Sequence, residues 1–236
     1  MPLARRIELK TDTPTTRTWW NRENRPFTLA ELIADGVVHV IGILVAVAAG
    51  SVLLSLAALH TAPEAIPSLV IYVGSLIVVL SVSLAFNLWP VSPVKMHLAR
   101  VDQAAIFLFI AGTYTPLLAL LGDTLMGDLM MLFVWSASLV GIALKLIVPS
   151  RFGRLAILLY LAIGWSGVLI FQSLAASLPA SALWLLVAGG VVYSLGIIFH
   201  LWEKLRFQNA LWHAFVVLGA CLHLGAILDC MVFSRL

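Results

Sequence analysis

Two pairs of polar residues stand four apart in otherwise apolar stretches: Ser83 with Asn87, and Asn209 with His213. Residues four apart on a helix share a face, one turn from each other. Set face to face with Asp102 between them, the two pairs would outline a small polar pocket. It would offer a carboxylate, an imidazole, a hydroxyl and two amides. Groups of these kinds can form a satisfied hydrogen-bond network, bind a cation or a lipid headgroup, or work on a water for hydrolysis. His39 adds a second imidazole. Polar groups in lipid are costly, so each asks for a reason. The same question applies to Asp35, Ser81, Gln103, His223 and Asp229.

The elements that must position these groups are membrane spans. The chain has 236 residues, 62% hydrophobic and only 11% charged, against about 25% charged in soluble domains. A span needs about 20 mostly apolar residues. Such stretches occur near 36–59, 66–89, 102–121, 129–148, 155–178, 181–203 and 210–229, separated by short clusters of Gly, Pro or charge. The expected fold is an all-α integral membrane protein, a bundle of seven transmembrane helices. It comprises a polar N-terminal segment, 1–27, and a membrane domain, 28–236. No secretory signal is expected, because the basic N-terminal stretch is not followed directly by a short apolar core. Trp19, Trp20 and the arginines around them suit a membrane interface.

Basic residues orient the bundle. With the N-terminus in the cytoplasm, 13 of the 14 Lys and Arg residues fall on the cytoplasmic side and only Arg235 falls outside. The expected topology is therefore N-terminus cytoplasmic and C-terminus outside, as a multi-pass protein of a bacterial inner membrane. The positive charge reflects topology and not nucleic-acid binding; the expected partners are membrane lipids. This topology also sorts the polar residues by depth. His39, Asn87, Ser83, Asp102, Asn209 and His213 come from four different spans, yet all fall toward the cytoplasmic side. His223 lies about 15 Å further along the last span than His213.

The stretches ELIADGVVH (Glu31 to His39), SVSLAFN (Ser81 to Asn87), VDQAAIFLFIAGTYTP (Val101 to Pro116) and NALWHAFVVLGACLH (Asn209 to His223) resemble the hemolysin III family. That family is the bacterial branch of the progestin and adipoQ receptor (PAQR) superfamily. The resemblance covers the chain from about Glu31 to Ala226. It implies seven spans, an N-in topology and a zinc site near the cytoplasmic leaflet, built from Ser-x3-His on span 2, an Asp opening span 3, and His-x3-His opening span 7. Carried over, the Ser is Ser83, the Asp is Asp102 and the last His is His213. The other two histidines fall on Asn87 and Asn209, and Gln103 stands where many members have His.

Zinc is held by Cys, His and carboxylates. An Asn amide keeps the hydrogen-bonding capacity of His but is a weak ligand. No cofactor is therefore expected, unless zinc finds a rearranged site that includes Asp102, His213 and His39. The expected function is that of a non-catalytic membrane protein with a degenerate polar pocket, acting in membrane homeostasis or in lipid or ion binding. The alternative is a metal-dependent hydrolase of lipid amides centred on Asp102, His213 and Ser83. A further alternative is an oligomeric lytic pore. A retinal protein is excluded, because the last span has no lysine for a Schiff base. A monomeric channel is disfavoured, because the outer halves of the spans are apolar.

Several residues have local explanations. Thr28-x-x-Glu31 is a capping box. Pro116 removes a backbone donor from span 3, and Thr113, Tyr114 and Thr115 could satisfy the freed carbonyl. Gly189 and Gly190 favour close helix packing. Cys221 and Cys230 are too far apart on one helix for a disulfide. Trp89, Trp202 and Trp212 fall near one interface and Trp184 near the other.

Overall fold

The computed structural model describes residues 27–122, 124–148 and 153–235. Residues 1–26 of the N-terminal segment, with Trp19 and Trp20, lie outside the described residues, as does Arg151. All regular structure among the described residues is helical: α1 (Leu29–His60), α2 (Ile66–Leu88), α3 (Pro93–Ala119), α4 (Leu125–Ile147), α5 (Gly153–Gly164), α6 (Phe171–Ser177), α7 (Ala180–Leu201) and α8 (Gln208–Met231). A 3-10 stretch, Ser166–Ile170, joins α5 to α6. Among the described residues, seven segments are long and apolar enough to cross a membrane, α5 to α6 counting as one. In lipid a spanning chain must satisfy its backbone internally, which helices do.

Each helix extends to where its local chemistry ends it, not to where its apolar run ends. α1 begins seven residues before the apolar stretch because Thr28 caps it: the Thr28 hydroxyl accepts the Glu31 N–H at 3.3 Å, and the Glu31 carboxylate accepts the Thr28 N–H at 2.9 Å. α3 begins at Pro93, not near Asp102, because Ser92 caps it and Pro93 suits its first turn. The apolar run marks the lipid crossing, while the cap marks the helix.

α3 lies at the centre. Every residue from Ala111 to Leu118 is buried. It packs on α2 and α4, while α1 and α8 pack together and α7 packs on α8. A Cβ on Gly112 would sit 2.1 Å from Ser75 Oγ, so only glycine lets α3 approach α2 this closely. The outward faces are apolar, with Leu44, Leu132, Leu158 and Ile198 all exposed, as a lipid-facing surface requires.

Span 5 is not the continuous helix expected over 155–178. It breaks after Gly164, and Tyr114 of the AGTYTP stretch fills the break. The Tyr114 hydroxyl donates to the Gly164 carbonyl at 2.8 Å and accepts the Gly167 N–H at 2.7 Å. Trp165 Nε1 donates to Ser194 Oγ on α7 at 3.1 Å. Apolarity cannot register such a break, because the bridging hydroxyl comes from another span. The hydroxyls around Pro116 also differ from expectation. Thr113 donates to the Phe109 carbonyl and Thr115 to the Ala111 carbonyl, neither of which is the Gly112 carbonyl that Pro116 leaves without its helical donor.

Candidate metal and lipid-binding pocket

The buried face of α1 is Glu31, Asp35, His39, Gly42, Ala46, Gly50, Leu53 and Ala57. The spacing, two steps of four residues and then one of three, repeated, is that of one helix stripe. Its small residues bring α1 against α8: a Cβ on Gly42 would meet Val217 at 2.7 Å. Its polar residues, one to three turns before Gly42, thereby face the start of α8.

Asp35 is the hub of the resulting cluster. Its Oδ1 accepts His213 Nδ1–H at 2.6 Å, and its Oδ2 accepts Asn209 Nδ2 at 3.2 Å. Its backbone carbonyl accepts His39 Nδ1–H at 2.9 Å. The His39 and His213 rings lie 4.2 Å apart between centroids. Asp35 and His39 are 2% and 1% exposed, so water does not satisfy them. Because carbonyl and carboxylate oxygens only accept, each ring donates from Nδ1, which leaves Nε2 as the nitrogen that can meet a further partner. His213 Nε2 faces the Ser83 hydroxyl at 3.4 Å. His39 Nε2 is buried with no hydrogen-bond partner.

The two pairs picked out by spacing do meet. Asn209 Nδ2 donates to Asn87 Oδ1 at 2.7 Å, while Asn87 Nδ2 donates to the Ser83 carbonyl at 2.8 Å. His39, Ser83, Asn87, Asp102, Asn209 and His213 all line one cavity of about 300 Å3. Asp102 lines the same cavity, close enough to Ser83 and His213 for both to act on its carboxylate. Asp35, from α1, adds a second carboxylate, bonded to both members of the Asn209/His213 pair. It was recognisable as a polar residue within a span. The overlooked signal is that Glu31, Asp35 and His39 are four apart and continue the stripe of Gly42, Ala46 and Gly50.

The local explanations hold in part. Glu31 closes the capping box, and its Oε1 also accepts the N–H of Phe207 at 3.0 Å. Phe207 adopts a left-handed backbone, φ 59°, at the cap of α8, a costly conformation for a bulky residue. Glu31 thus ties the start of α1 to the start of α8, two residues before Asn209. His223 Nε2–H donates to the Leu186 carbonyl at 3.1 Å, with its ring against Gly189. Cys221 and Cys230 are both free. Trp89, Trp184 and Trp202 are exposed, whereas Trp212 turns inward, lines the cavity and stacks on His200 at 4.9 Å. Lys145, counted among the cytoplasmic-side cations, is 2% exposed and also lines the cavity.

The donor chemistry separates two metal sets. The set implied by resemblance does not fit, since the Asn87 and Asn209 amides are committed to each other, to Ser83 and to Asp35. A second set fits. Asp35, His39 and His213 offer one carboxylate oxygen and two imidazole nitrogens, all within 4.8 Å of one another. Tetrahedral zinc, with bonds of about 2.0–2.1 Å, holds neighbouring ligand atoms about 3.3 Å apart, so modest side-chain rotation would close the set. The unpartnered His39 Nε2 is the atom such an ion would satisfy.

Fold and site together define a seven-span membrane protein with a polar pocket buried at one end of the bundle. A family model described as "Haemolysin-III related" matches residues 27–224. The chain is 37% identical over 209 residues to "Hemolysin-3 homolog" of Bacillus subtilis (strain 168), covering 88% of this chain and 95% of that protein. It is 32% identical over 198 residues to "Hemolysin-3" of Bacillus cereus, covering 84% and 90%. It is 30% identical over 165 residues to human "Monocyte to macrophage differentiation factor", covering 66% and 67%. The chain belongs to the haemolysin III-related family.

Proposed function

We propose that this chain is a lipid- and ion-binding protein acting in membrane homeostasis, and that its pocket holds a metal ion. One observation carries the reading: the Asp35, His39 and His213 cluster at the head of the cavity. Two imidazoles and a carboxylate are a donor set that zinc accepts. The backbone carbonyl of Asp35, which accepts from His39 Nδ1, is the kind of outer support that fixes the tautomer of a metal-binding imidazole. We further propose that the pocket lies toward the cytoplasmic face of a bacterial inner membrane, with the N-terminus inside, on the strength of the basic-residue bias.

A hydrolase of lipid amides is the second reading. The observation favouring it is that Ser83 and Asp102 share the cavity wall with His213. A metal bound there would polarise a carbonyl and acidify a water. Ser83 and Asp102 would orient the polar group of the amide, and the apolar wall beyond would receive its chain. The non-catalytic reading is preferred because the Asn87 and Asn209 amides close the polar network around Asp35 instead of adding ligands.

The test is elemental analysis of the detergent-purified chain, with His213→Ala as control, followed by incubation with a long-chain N-acyl amide. About one zinc per chain, absent from the variant, with no fatty acid released, is the expected result. Absence of metal from the wild-type chain would remove the ion-binding reading. Metal-dependent release of fatty acid would reverse the choice in favour of the hydrolase.

A further inference from the structure

We propose that Glu31 is a positioning residue for the Asp35 cluster: it clamps Phe207 in a left-handed backbone and so fixes where α8 presents Asn209 and His213. This deepens the metal reading of the pocket and rests on it. Strain marks the place. Among the described residues, Phe207 is the only residue other than glycine with a positive φ, 59°. A bulky residue keeps such a backbone only where its surroundings hold it there, and places of this kind gather at functional sites.

The holding bonds come from two other helices. Glu31 Oε1, on α1, accepts the Phe207 N–H at 3.0 Å. On the α7 side, Gln208 Nε2 donates to the His200 carbonyl at 3.0 Å. The Glu31 carboxylate is itself fixed, because its Oε2 accepts the N–H and the hydroxyl of Thr28 at 2.9 and 2.8 Å. α8 has no capping side chain of its own. One carboxylate, 3% exposed, therefore closes the N-terminal ends of two helices. Each end carries N–H groups without helical partners and the positive pole of a helix dipole, and both favour a negative charge there.

The clamp lies one turn before the cluster on both helices. Asp35 follows Glu31 by four residues on the same buried stripe. Asn209 and His213 follow Phe207 by two and six residues, and donate to Asp35 at 3.2 and 2.6 Å. With Phe207 in the extended backbone usual for a helix cap, the first turn of α8 would leave α1 along a different line. Both bonds would then lengthen, and the ligand atoms of Asp35, His39 and His213 would leave the 4.8 Å within which they now lie. Glu31 also belongs to the capping box of α1, so a role confined to α1 is the competing account.

The experiment takes two readouts from the full chain in detergent. One is zinc affinity in competition with a chelator. The other, on metal-free protein labelled with nitrogen-15 at histidine, is the resonance of the His213 Nδ1 proton, which its short bond to a carboxylate moves downfield. Glu31→Ala is expected to weaken zinc by about tenfold or more, as loss of an outer support does, and to move the His213 signal upfield. Adding Phe207→Gly is expected to recover most of both, because glycine takes a left-handed backbone without a clamp. Phe207→Gly alone, and Thr28→Ala, which leaves the Glu31 to Phe207 bond in place, should both match wild type. If Glu31→Ala does not fold, Phe207→Val loads the same turn from the other side, since a β-branched residue resists a positive φ, and should weaken zinc likewise. Wild-type readouts in Glu31→Ala would overturn the assignment. So would a loss that Phe207→Gly does not recover, or one that Thr28→Ala reproduces. If the wild-type chain takes up no zinc, the metal reading falls by itself, and the His213 signal still decides whether Glu31 positions that residue.

Discussion

Asp35 of α1 and His213 of α8 are joined by a 2.6 Å hydrogen bond between a carboxylate oxygen and Nδ1, both side chains shut away from water. They are 178 residues apart in the chain. Their contact links the first and last spans at the end of the bundle where Ser83 and Asn87 of α2 also converge. It makes Asp35 the organiser of a cluster in which His213, Asn209 and His39 all hydrogen-bond to one residue.

Removing that carboxylate separates its two roles. Asp35→Ala leaves His213 Nδ1–H without its acceptor in a buried site and takes one of two acceptors from the Asn209 amide, a cost of about 1–3 kcal/mol for the buried group left unsatisfied. Asp35→Asn keeps an oxygen for His213 and loses the charge, so its melting temperature in detergent should fall less. Both variants should lose bound zinc. An Asp35→Ala chain that melts like wild type would show that the hydrogen bond contributes nothing to the bundle.

Tyr114 offers a test of the broken span. Tyr114→Phe keeps the ring and deletes the hydroxyl that serves both the Gly164 carbonyl and the Gly167 N–H. Two backbone groups in the middle of a span would lose their partner, a cost of about 1–3 kcal/mol for each buried group left unsatisfied. Thermal unfolding followed by tryptophan fluorescence should report the loss, because Trp165 sits in the break. An unchanged transition would mean that the break is stable without its bridge.

The two asparagines can be converted back to the pattern the family resemblance implies. Asn87→His with Asn209→His adds two imidazoles beside His213. Zinc retention against a competing chelator should rise, by about tenfold or more if even one becomes a ligand. A double variant that holds zinc no better than wild type would show that the space around Asp35 no longer admits that arrangement.

Much of this protein was legible from residue types alone. The number of crossings follows from apolar length, because lipid leaves a backbone no partner but itself. The capping box at Thr28 and Glu31 and the facing pairs Ser83/Asn87 and Asn209/His213 are short-range patterns, set by 3.6 residues per turn. They needed no knowledge of which helix lies beside which. The same reading placed Asp102 between the pairs, because Asp102 opens a span at the right depth.

Tertiary structure alone decided which carboxylate meets His213. Depth along the membrane normal is written in the sequence, but the rotation of each helix about its own axis is not. That rotation is set where Gly42 lets α1 close on Val217 of α8, which turns Asp35 and His39 onto His213. The break in span 5 and the inward turn of Lys145 have the same origin. Each depends on a side chain from another helix, Tyr114 in one case and Gln103 in the other, arriving at a place that only packing determines.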